Sequence, residues 1–295
     1  MTLVYATGLG GFLGGHVEVA LREGGFVPEN LPRALRRSRD ELEAHLRARP
    51  PAALIHMAGI VDVQYCRKFP LEAFEAHVGD TATLLEAMRR ACPQVPVLYI
   101  ATDKSFGEQQ ACGLTTPYQS GFPYEASKAA EDLLVESYAA TYGMPIALLR
   151  FPNFFGEGDR HTERLIPSVC LAALEKREVV VRTRLDGTTR QYIYVRDAAG
   201  IILKGLQAVT GGGAMWRKSH FGPPTLKTVG DVIRDVENLM GERLEVKVLN
   251  QPGEVSTISL ADENGLDFPY TAWLDALGQT LAWYRQHRPD EPAGR

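Results

Sequence analysis

Residues 3–15, LVYATGLGGFLGG, decide the fold of this chain. They begin with an apolar run, Leu3–Ala6, which is typical of a short buried strand. Glycines follow at positions 8, 11 and 14, and a helix is predicted from His16 to Arg22. Glycines between a strand and a helix permit a tight turn and let backbone N–H groups approach a pyrophosphate. The stretch therefore predicts a nucleotide-binding unit, with a glycine-rich turn that binds nothing as the alternative.

Further strands and helices alternate along the first half of the chain. Apolar runs at 53–59, 97–101 and 146–150 predict buried strands, and residues 71–90 and 124–142 have helical patterns. Residues 26–32, FVPENLP, make a poor strand because they contain two prolines. Ser38 and Glu41 are spaced as a capping box for a helix to about Arg49. The alternation predicts an α/β fold, a Rossmann-type doubly wound parallel sheet covered on both faces.

The pattern changes after Gly156. A polar loop covers 156–164, helices are predicted at 165–176 and 272–287, and strands at 179–182, 192–195 and 244–249. Residues 226–240 form one more segment of this region, and Asp197 is predicted to cap a helix to about Val209 that packs back on the first half. We therefore expect a nucleotide-binding domain at 1–155, joined by 190–210, and a smaller C-terminal α/β substrate lobe at 156–295. The cleft between them is the expected site.

Composition excludes several classes of protein. The 295 residues carry a net charge of −4, with 45% hydrophobic and 23% charged residues, which gives no basic footprint for nucleic acid or an anionic membrane. No apolar run is long enough to span a bilayer, and no signal peptide is indicated. The cysteines are far apart, without zinc-ligand spacing, so reduced thiols in a cytoplasmic protein and no metal site are expected. They are Cys66, Cys92, Cys112 and Cys170.

Tyr124 and Lys128 begin the helix predicted at 124–142. Four residues apart, they share one face of that helix. A lysine beside a phenol favours the phenolate and lowers a pKa that is ordinarily about 10, so Tyr124 could act as a base. By itself the pair is a weak signal, since Tyr and Lys recur by chance on helix surfaces.

Thr102-Asp103-Lys104 directly follows the strand predicted at 97–101. Chemistry in parallel α/β proteins is concentrated where such strands end. A hydroxyl, an acid and an amine in succession predict a catalytic group. The alternative is a surface ion pair between Asp103 and Lys104.

Ordered together, these motifs resemble the extended short-chain dehydrogenase/reductases, that is, the NAD-dependent epimerase/dehydratase family. The resemblance covers nearly the whole chain. It rests on TGLGGFLG at 7–14, HMAG at 56–59, Thr102, Tyr124 with Lys128, RFPNFFG at 150–156, RQYIYVRD at 190–197, PGE at 252–254 and WY at 283–284. The resemblance implies binding of NAD through Gly8, Gly11, Phe12, Leu13, Gly14, Met57, Ala58, Gly59, Tyr124 and Lys128.

The resemblance also implies a nucleotide-diphosphate sugar as substrate. Thr102 and Tyr124 would hold the sugar 4-hydroxyl, Tyr124 would take its proton, and Lys128 would bind the nicotinamide ribose. Asn153 and Arg190 would contact the diphosphate. NADP in place of NAD is possible through Arg33, Arg36 or Arg37, although a solvated helix face explains these arginines as well.

Thr-Asp-Lys is similar to the CDP-glucose 4,6-dehydratases within this family. That likeness implies that Asp103 protonates the departing 6-hydroxyl while Lys104, in its neutral form, removes the C5 proton. A 4-epimerase or 4-keto reductase is the alternative within the family, and a catalytically silent nucleotide-binding scaffold is the alternative outside it. His77 and Asp80 depart from the family pattern, and we expect His77 to be a packed side chain. A homodimer formed through the helices at 71–90 and 124–142 is also expected.

Overall fold

The structure, a computed structural model, describes residues 2–187, 189–211, 218–249 and 258–287. Its strands are β1 (Thr2–Thr7), β2 (Phe26–Asn30), β3 (Ala53–His56), β4 (Val97–Thr102), β5 (Ile146–Phe151), β6 (Asn153–Phe155), β7 (Val179–Val181), β8 (Thr189–Tyr194), β9 (Lys218–His220), β10 (Leu226–Thr228) and β11 (Val246–Val248). Its α-helices are α1 (Phe12–Glu23), α2 (Arg33–Arg36), α3 (Arg39–Ala48), α4 (Val63–Lys68), α5 (Pro70–Phe74), α6 (Asp80–Ala91), α7 (Pro123–Tyr142), α8 (Leu165–Glu175), α9 (Val195–Thr210), α10 (Val229–Met240) and α11 (Trp273–Gln286).

Six parallel strands form the main sheet, in the order β2-β1-β3-β4-β5-β9. One face of the sheet packs on α1 and α9, through side chains such as Val17 and Ile202. The opposite face packs on α3, α6 and α7, through side chains such as Leu46, Leu84 and Val135. The predicted doubly wound parallel α/β fold is therefore confirmed.

A second core lies beyond β5. It is built by α8, α10 and α11 with two small sheets, one in the order β10-β8-β6 and the other formed by β11 and β7. Tyr284 of α11 is buried and its hydroxyl donates to the carbonyl oxygen of Asp159, which anchors this helix on the preceding loop. Between β8 and β10 the chain returns to the main sheet, where α9 packs on α1 and β9 pairs with β5.

The switch in strand order falls at β1. From β2, on one side of β1, the chain passes through α2 and α3 to β3 on its other side. A crevice at the carboxyl ends of the strands forms where the order reverses in this way, and ligands of open α/β sheets bind there. The loops after β1 and β3 therefore meet at the place expected for a nucleotide.

Four local expectations are corrected by the structure. FVPEN is a regular strand, β2, because it lies at the sheet edge, where a proline such as Pro28 is tolerated. The first helix begins at Phe12, not His16.

Ser38 is the N-cap of α3 but its side chain makes no capping hydrogen bond, so the predicted capping box is not formed. Asp197 lies inside α9, whose N-cap is Tyr194, and it accepts hydrogen bonds from the backbone N–H and the hydroxyl of Thr271.

The helix expected at 71–90 is present, but it is not α-helical throughout. Between α5 and α6 the chain makes a π-helical turn, Glu75–Gly79, that contains His77. Such turns widen a helix by one residue and are frequent at functional sites.

Candidate active site

The glycine-rich loop packs tightly against the end of β3. Gly8 has a φ of +83°, and a Cβ on it would stand 3.1 Å from the backbone nitrogen of Ala58. A Cβ on Gly14 would stand 2.0 Å from the carbonyl oxygen of Gly8, closer than real side chains come. Both positions therefore require glycine, since the close turn leaves no room for a side chain.

The N-terminus of α1 is open for an anion. Gly11 is its N-cap, and no side chain of a described residue caps the first-turn N–H groups, which belong to Phe12, Leu13 and Gly14. These donors and the positive end of the helix dipole suit a pyrophosphate. The loop therefore fits the dinucleotide that the sequence predicts.

The end of β2 offers no carboxylate to an adenosine ribose. Asn30 stands there and its side-chain oxygen accepts a hydrogen bond from the N–H of Leu9, at 3.3 Å. The neighbouring Glu29 forms an ion pair with Arg49 at 2.7 Å. The acid that usually distinguishes NAD from NADP, by binding the ribose where NADP carries its 2′-phosphate, is therefore missing from the end of β2.

Asp80 holds two of the arginines that were considered for NADP. Its carboxylate lies 3.1 Å from Nε of Arg33 and 3.8 Å from a guanidinium nitrogen of the buried Arg36. Asp80 departs from the family pattern, and its carboxylate supplies the negative charge that Arg33 and Arg36 share. This contact explains the aspartate at this position. Arg33 and Arg37 are exposed, as the solvated-face alternative expects, whereas Arg36 is buried.

The three residues after β4 are positioned as a compact group. The chain makes a turn of 3₁₀-helix, Asp103–Phe106, whose N-cap Thr102 accepts a hydrogen bond from the N–H of Lys104. The hydroxyl of Thr102 donates to Oδ1 of Asp103 at 3.1 Å. Asp103 and Lys104 are both buried, at 1% and 8% exposure, so the surface ion pair considered as the alternative is wrong.

Asp103 has an unusual environment for an acid. Burial raises its pKa, although the charge of Lys104 and the hydrogen bond from Thr102 oppose that shift. Its Oδ2 has no hydrogen-bond partner among the residues that the structure describes. A buried carboxyl oxygen without a partner is costly, which makes Asp103 a candidate for a role in the site.

Arg150 holds the end of β4 by hydrogen bonding, a role that was not predicted from the sequence. One guanidinium nitrogen donates to the carbonyl oxygen of Thr102 at 2.6 Å and to Asp132 at 2.8 Å. Arg150 and Asp132 are fully buried, so their charges are paired within the fold. The signal was present in the RFPNFFG motif, whose first residue is this arginine.

Tyr124 lies at the start of α7 with its ring almost buried. Its ring packs edge to face on His77, with centroids 5.8 Å apart. Burial raises the pKa of Tyr124 above its ordinary value, and the charge of Asp103 raises it further. The lowered pKa expected for Tyr124 is therefore not found in the protein by itself, because burial is the largest cause of its shift.

Glu131 pairs with Lys128. Its Oε2 lies 2.5 Å from Nζ of Lys128, one turn along α7, so the charge of the lysine is balanced inside the fold. Lys128 also donates to the hydroxyl of Tyr99 at 3.2 Å. Glu131 was not identified from the sequence, although its spacing of three residues from Lys128 places both on one helix face.

His77 is a packed side chain, as expected. Its Nδ1 bonds to the hydroxyl of Ser127 at 2.8 Å, and its Nε2 lies within hydrogen-bond distance of the backbone of Ile60. Burial and the charge of Lys128 lower the pKa of His77 to about 4, so the ring is neutral. A Cβ on Gly59 would meet this ring at 3.2 Å, which accounts for a glycine there.

The predicted diphosphate contacts lie on adjacent strands. Asn153 begins β6 and Arg190 lies on β8, which pairs with β6. The side-chain amide of Asn153 donates to the carbonyl oxygen of Gln191 at 3.2 Å. The PGE motif at 252–254 lies outside the described residues.

Other features bear on the expectations from composition. All four cysteines are unpaired and buried. Among the residues that the structure describes, no group of three or more His, Cys, Asp or Glu side chains is arranged to hold a metal ion. Within those same residues, no helix is both long enough and apolar enough to cross a membrane.

Comparison with known proteins gives a consistent result. The sequence profile of the NAD dependent epimerase/dehydratase family matches residues 4–215. The chain is 27% identical over 248 residues to dTDP-glucose 4,6-dehydratase of Mycolicibacterium smegmatis, an alignment that covers 79% of this chain and 72% of that protein. It superposes on a dTDP-glucose 4,6-dehydratase of Bacillus anthracis in complex with NAD with a TM-score of 0.81, covering 98% of each chain at 20% identity.

A longer relative matches over part of its length. The chain is 25% identical over 246 residues to a trifunctional UDP-glucose 4,6-dehydratase/UDP-4-keto-6-deoxy-D-glucose 3,5-epimerase/UDP-4-keto-L-rhamnose-reductase of Arabidopsis thaliana. That alignment covers 79% of this chain but only 36% of the plant protein. This chain therefore spans about a third of such relatives.

Proposed function

Because the chain belongs to the NAD dependent epimerase/dehydratase family, we propose that it is a nucleotide-diphosphate-sugar 4,6-dehydratase. Such an enzyme oxidises C4 of the sugar, eliminates water across C5 and C6, and returns the hydride to C6. NAD is the cofactor of the family, and when bound it supplies the hydride acceptor and donor. Side chains of this protein bind the substrate and transfer the protons.

One observation carries the proposal, the surroundings of Asp103. Its buried carboxyl has a raised pKa and an unpartnered Oδ2 among the described residues, and it stands next to the buried Lys104. A buried carboxyl with a raised pKa and no partner for Oδ2 among the described residues is suited to protonate a leaving hydroxyl. An epimerase, which only moves hydride and one proton at C4, has no use for that acid.

The catalytic roles follow from these positions. Tyr124, with Thr102, holds the sugar 4-hydroxyl and takes its proton as C4 is oxidised. The 4-ketone acidifies the proton at C5, which Lys104 removes. Asp103 donates its proton to the 6-hydroxyl, which departs as water. Proton transfers of this kind contribute typically 10²–10⁴-fold each.

Binding roles complete the assignment. Gly8, Gly11 and the first turn of α1 would hold the pyrophosphate of NAD, and Met57, Ala58 and Gly59 at the end of β3 would line its path. Lys128 would donate to the nicotinamide ribose. Asn153 and Arg190 would contact the substrate diphosphate, the latter by charge-assisted hydrogen bonds. We place the substrate between the main sheet and the lobe formed by residues 156–295.

The test is direct product analysis. The purified protein is incubated with CDP-, dTDP-, UDP- and GDP-sugars, without added cofactor, and each product is weighed by mass spectrometry. Loss of the mass of one water from one sugar nucleotide is expected, and it identifies the substrate as well. If no mass changes, and NAD(P)H is instead consumed with 4-keto sugars, the protein is a reductase and the proposal fails.

Variants separate the steps. Asp103→Asn and Lys104→Met should lower water loss by at least about 10²-fold while NAD binding persists, because only the elimination groups are removed. Tyr124→Phe should stop the initial oxidation. Lys247→Met, a change of the same kind on an exposed strand position, should have no effect. Undiminished water loss in the first two variants would contradict the assignment.

The remaining alternatives give different outcomes in the same assay. A 4-epimerase returns a product of unchanged mass with altered stereochemistry and no net use of cofactor. A scaffold without activity would bind NAD and leave every sugar nucleotide unchanged. The environment of Asp103 favours the dehydratase over both, because neither alternative requires a buried acid beside Lys104.

A further inference from the structure

A continuous chain of buried hydrogen bonds joins the glycine-rich loop to Lys128. The hydroxyl of Thr7 lies 2.7 Å from Nδ1 of His56, and Nε2 of His56 lies 2.8 Å from the hydroxyl of Thr81. Thr81 donates to Oε1 of Glu131 at 2.8 Å, and Lys128 donates to Oε2 of Glu131. The side chains of Thr7, Thr81 and Glu131 are fully buried and His56 is 2% exposed. The catalytic scheme above uses none of His56, Thr81 and Glu131.

The protons along this chain can be ordered in only one way. The hydroxyl of Thr81 has one proton and donates it in the hydrogen bond to Glu131. It must therefore accept a hydrogen bond from Nε2 of His56. Burial lowers the pKa of His56, which makes the ring neutral, so its Nδ1 accepts from Thr7. Thr7 in turn accepts from the N–H groups of Met57 and Ala58. Every dipole therefore points towards the carboxylate of Glu131.

This arrangement keeps Glu131 ionised. Burial alone would raise its pKa, but the charge of Lys128 and the ring of His56, 3.5 Å from Oε1, outweigh it, and the pKa lies below its ordinary value. The result is a fixed negative charge in the interior beside Lys128. Charges in such surroundings act over several ångströms, because little water screens them.

We propose that Glu131 is a positioning residue which, through Lys128, makes the site prefer the oxidised over the reduced nicotinamide. The inference rests on the proposed function, in which Lys128 donates to the nicotinamide ribose. An ammonium has three donors, of which Lys128 uses two on Glu131 and Tyr99, so it can reach the ribose while the ion pair stays intact. Without Glu131, the lysine would repel a positively charged ring.

The two redox forms differ by one charge at the ring. Taking up a hydride, which is two electrons and one proton from C4, makes the ring neutral, and the proton of the 4-hydroxyl goes to Tyr124. Glu131 attracts the ring only in its positive, oxidised form. Its charge therefore favours a resting protein loaded with NAD⁺, which is the form that begins a dehydratase cycle.

The test is the ratio of two affinities. Dissociation constants for NAD⁺ and NADH are measured by calorimetry on the full chain, stripped of cofactor. In Glu131→Gln the ratio of the NAD⁺ constant to the NADH constant should rise roughly tenfold. In Glu131→Asp, which keeps the charge, it should stay near the wild-type value. Glu136→Gln is the matched control, because it removes an ionised acid from the same helix, one that pairs with Lys218.

A second variant protects the test against misfolding. Glu131→Ser leaves a space for water, and added formate should restore the wild-type ratio if the missing charge was the cause. A purely structural role for Glu131 predicts that both affinities fall equally, and that result would overturn the inference. Lys128→Met tests the underlying assignment separately, because unchanged affinity for both forms would show that this lysine does not hold the cofactor.

Discussion

Gly14 and Gly15 are neighbours in the first turns of α1, yet their surroundings are opposite. A Cβ on Gly14 would overlap the carbonyl oxygen of Gly8, whereas one on Gly15 would meet nothing within 4 Å. We expect Gly14→Ala to lower the free energy of unfolding by about 3 kcal/mol, because the backbone must shift. Gly15→Ala should raise it by up to about 1 kcal/mol, since alanine favours the helix.

Urea denaturation of the two variants checks this expectation. Since both substitutions add one methyl group to the same helix, each serves as the control for the other. Equal unfolding midpoints would mean that the turn at Gly8 is looser than its geometry indicates.

At the level of single residues, the sequence was informative where a motif is local. Thr102, Asp103 and Lys104 are consecutive, and Tyr124 and Lys128 are one helical turn apart, so their association could be predicted. Glu131 could not be identified in the same way, because its other partners, His56 and Thr81, are distant in sequence and meet it only in the folded protein. The same reason explains why the raised pKa of Tyr124 was not predicted, because burial, its largest cause, arises only in the folded protein.

Among elements, α3 and α10 contrast in how they begin. Thr228 caps α10 through a complete capping box with Asp231, whereas Ser38 at the start of α3 makes no capping hydrogen bond. Thr228→Ala should cost about 1 kcal/mol of unfolding free energy, because an N–H of the first turn loses its acceptor. Ser38→Ala should change it by less than about 0.5 kcal/mol. Thermal unfolding followed by circular dichroism distinguishes them; equal losses would contradict the assignment of the caps.

Most elements could be predicted from hydrophobic periodicity, but β2 and β6 show where it is insufficient. The two prolines around β2 argued against a strand, and only its place at the edge of the sheet makes the proline acceptable. β6 is three residues long and directly follows Pro152, so its sequence alone does not predict a strand. Pairing with β8, not local preference, makes it a strand.

For the whole molecule, buried histidines make stability depend on pH. Burial and the charge of Arg150 lower the pKa of His220 to about 4, and it accepts a hydrogen bond from that arginine. The unfolded chain takes up this proton near pH 6.5, so the contribution is complete above that pH and is lost as pH falls towards 4. His220→Gln should reduce the loss of unfolding free energy over this window by roughly 2 kcal/mol.

Urea titrations of the wild type and the variant between pH 7 and pH 4 measure the difference. His161→Gln, on the exposed loop before α8, is the control and should leave the profile parallel to that of the wild type. Parallel profiles for His220→Gln would show that the buried ring is not neutral in the folded protein.

The predicted homodimer belongs to this scale as well. Leu71 on α5 and Leu133 on α7 are 69% and 54% exposed, and these two helices pack side by side. We expect Leu71→Glu with Leu133→Glu to convert a dimer into a monomer, because two charges would be buried at the interface. Sedimentation velocity measures the change. Leu274→Glu, at a similarly exposed position on α11, should leave the dimer intact.

The return of the chain to its main sheet has a consequence for how this protein is made. β5 ends at Phe151, but its partner β9 begins only at Lys218, and α9, which covers one face, lies between them. A ribosome adds about 5–20 residues per second, so several seconds or more pass between the synthesis of β5 and that of β9, and α9 is made during this interval. During that interval the emerging chain exposes Leu149 and Phe151. Nascent chains stalled within this region are therefore the form in which the protein most needs a chaperone.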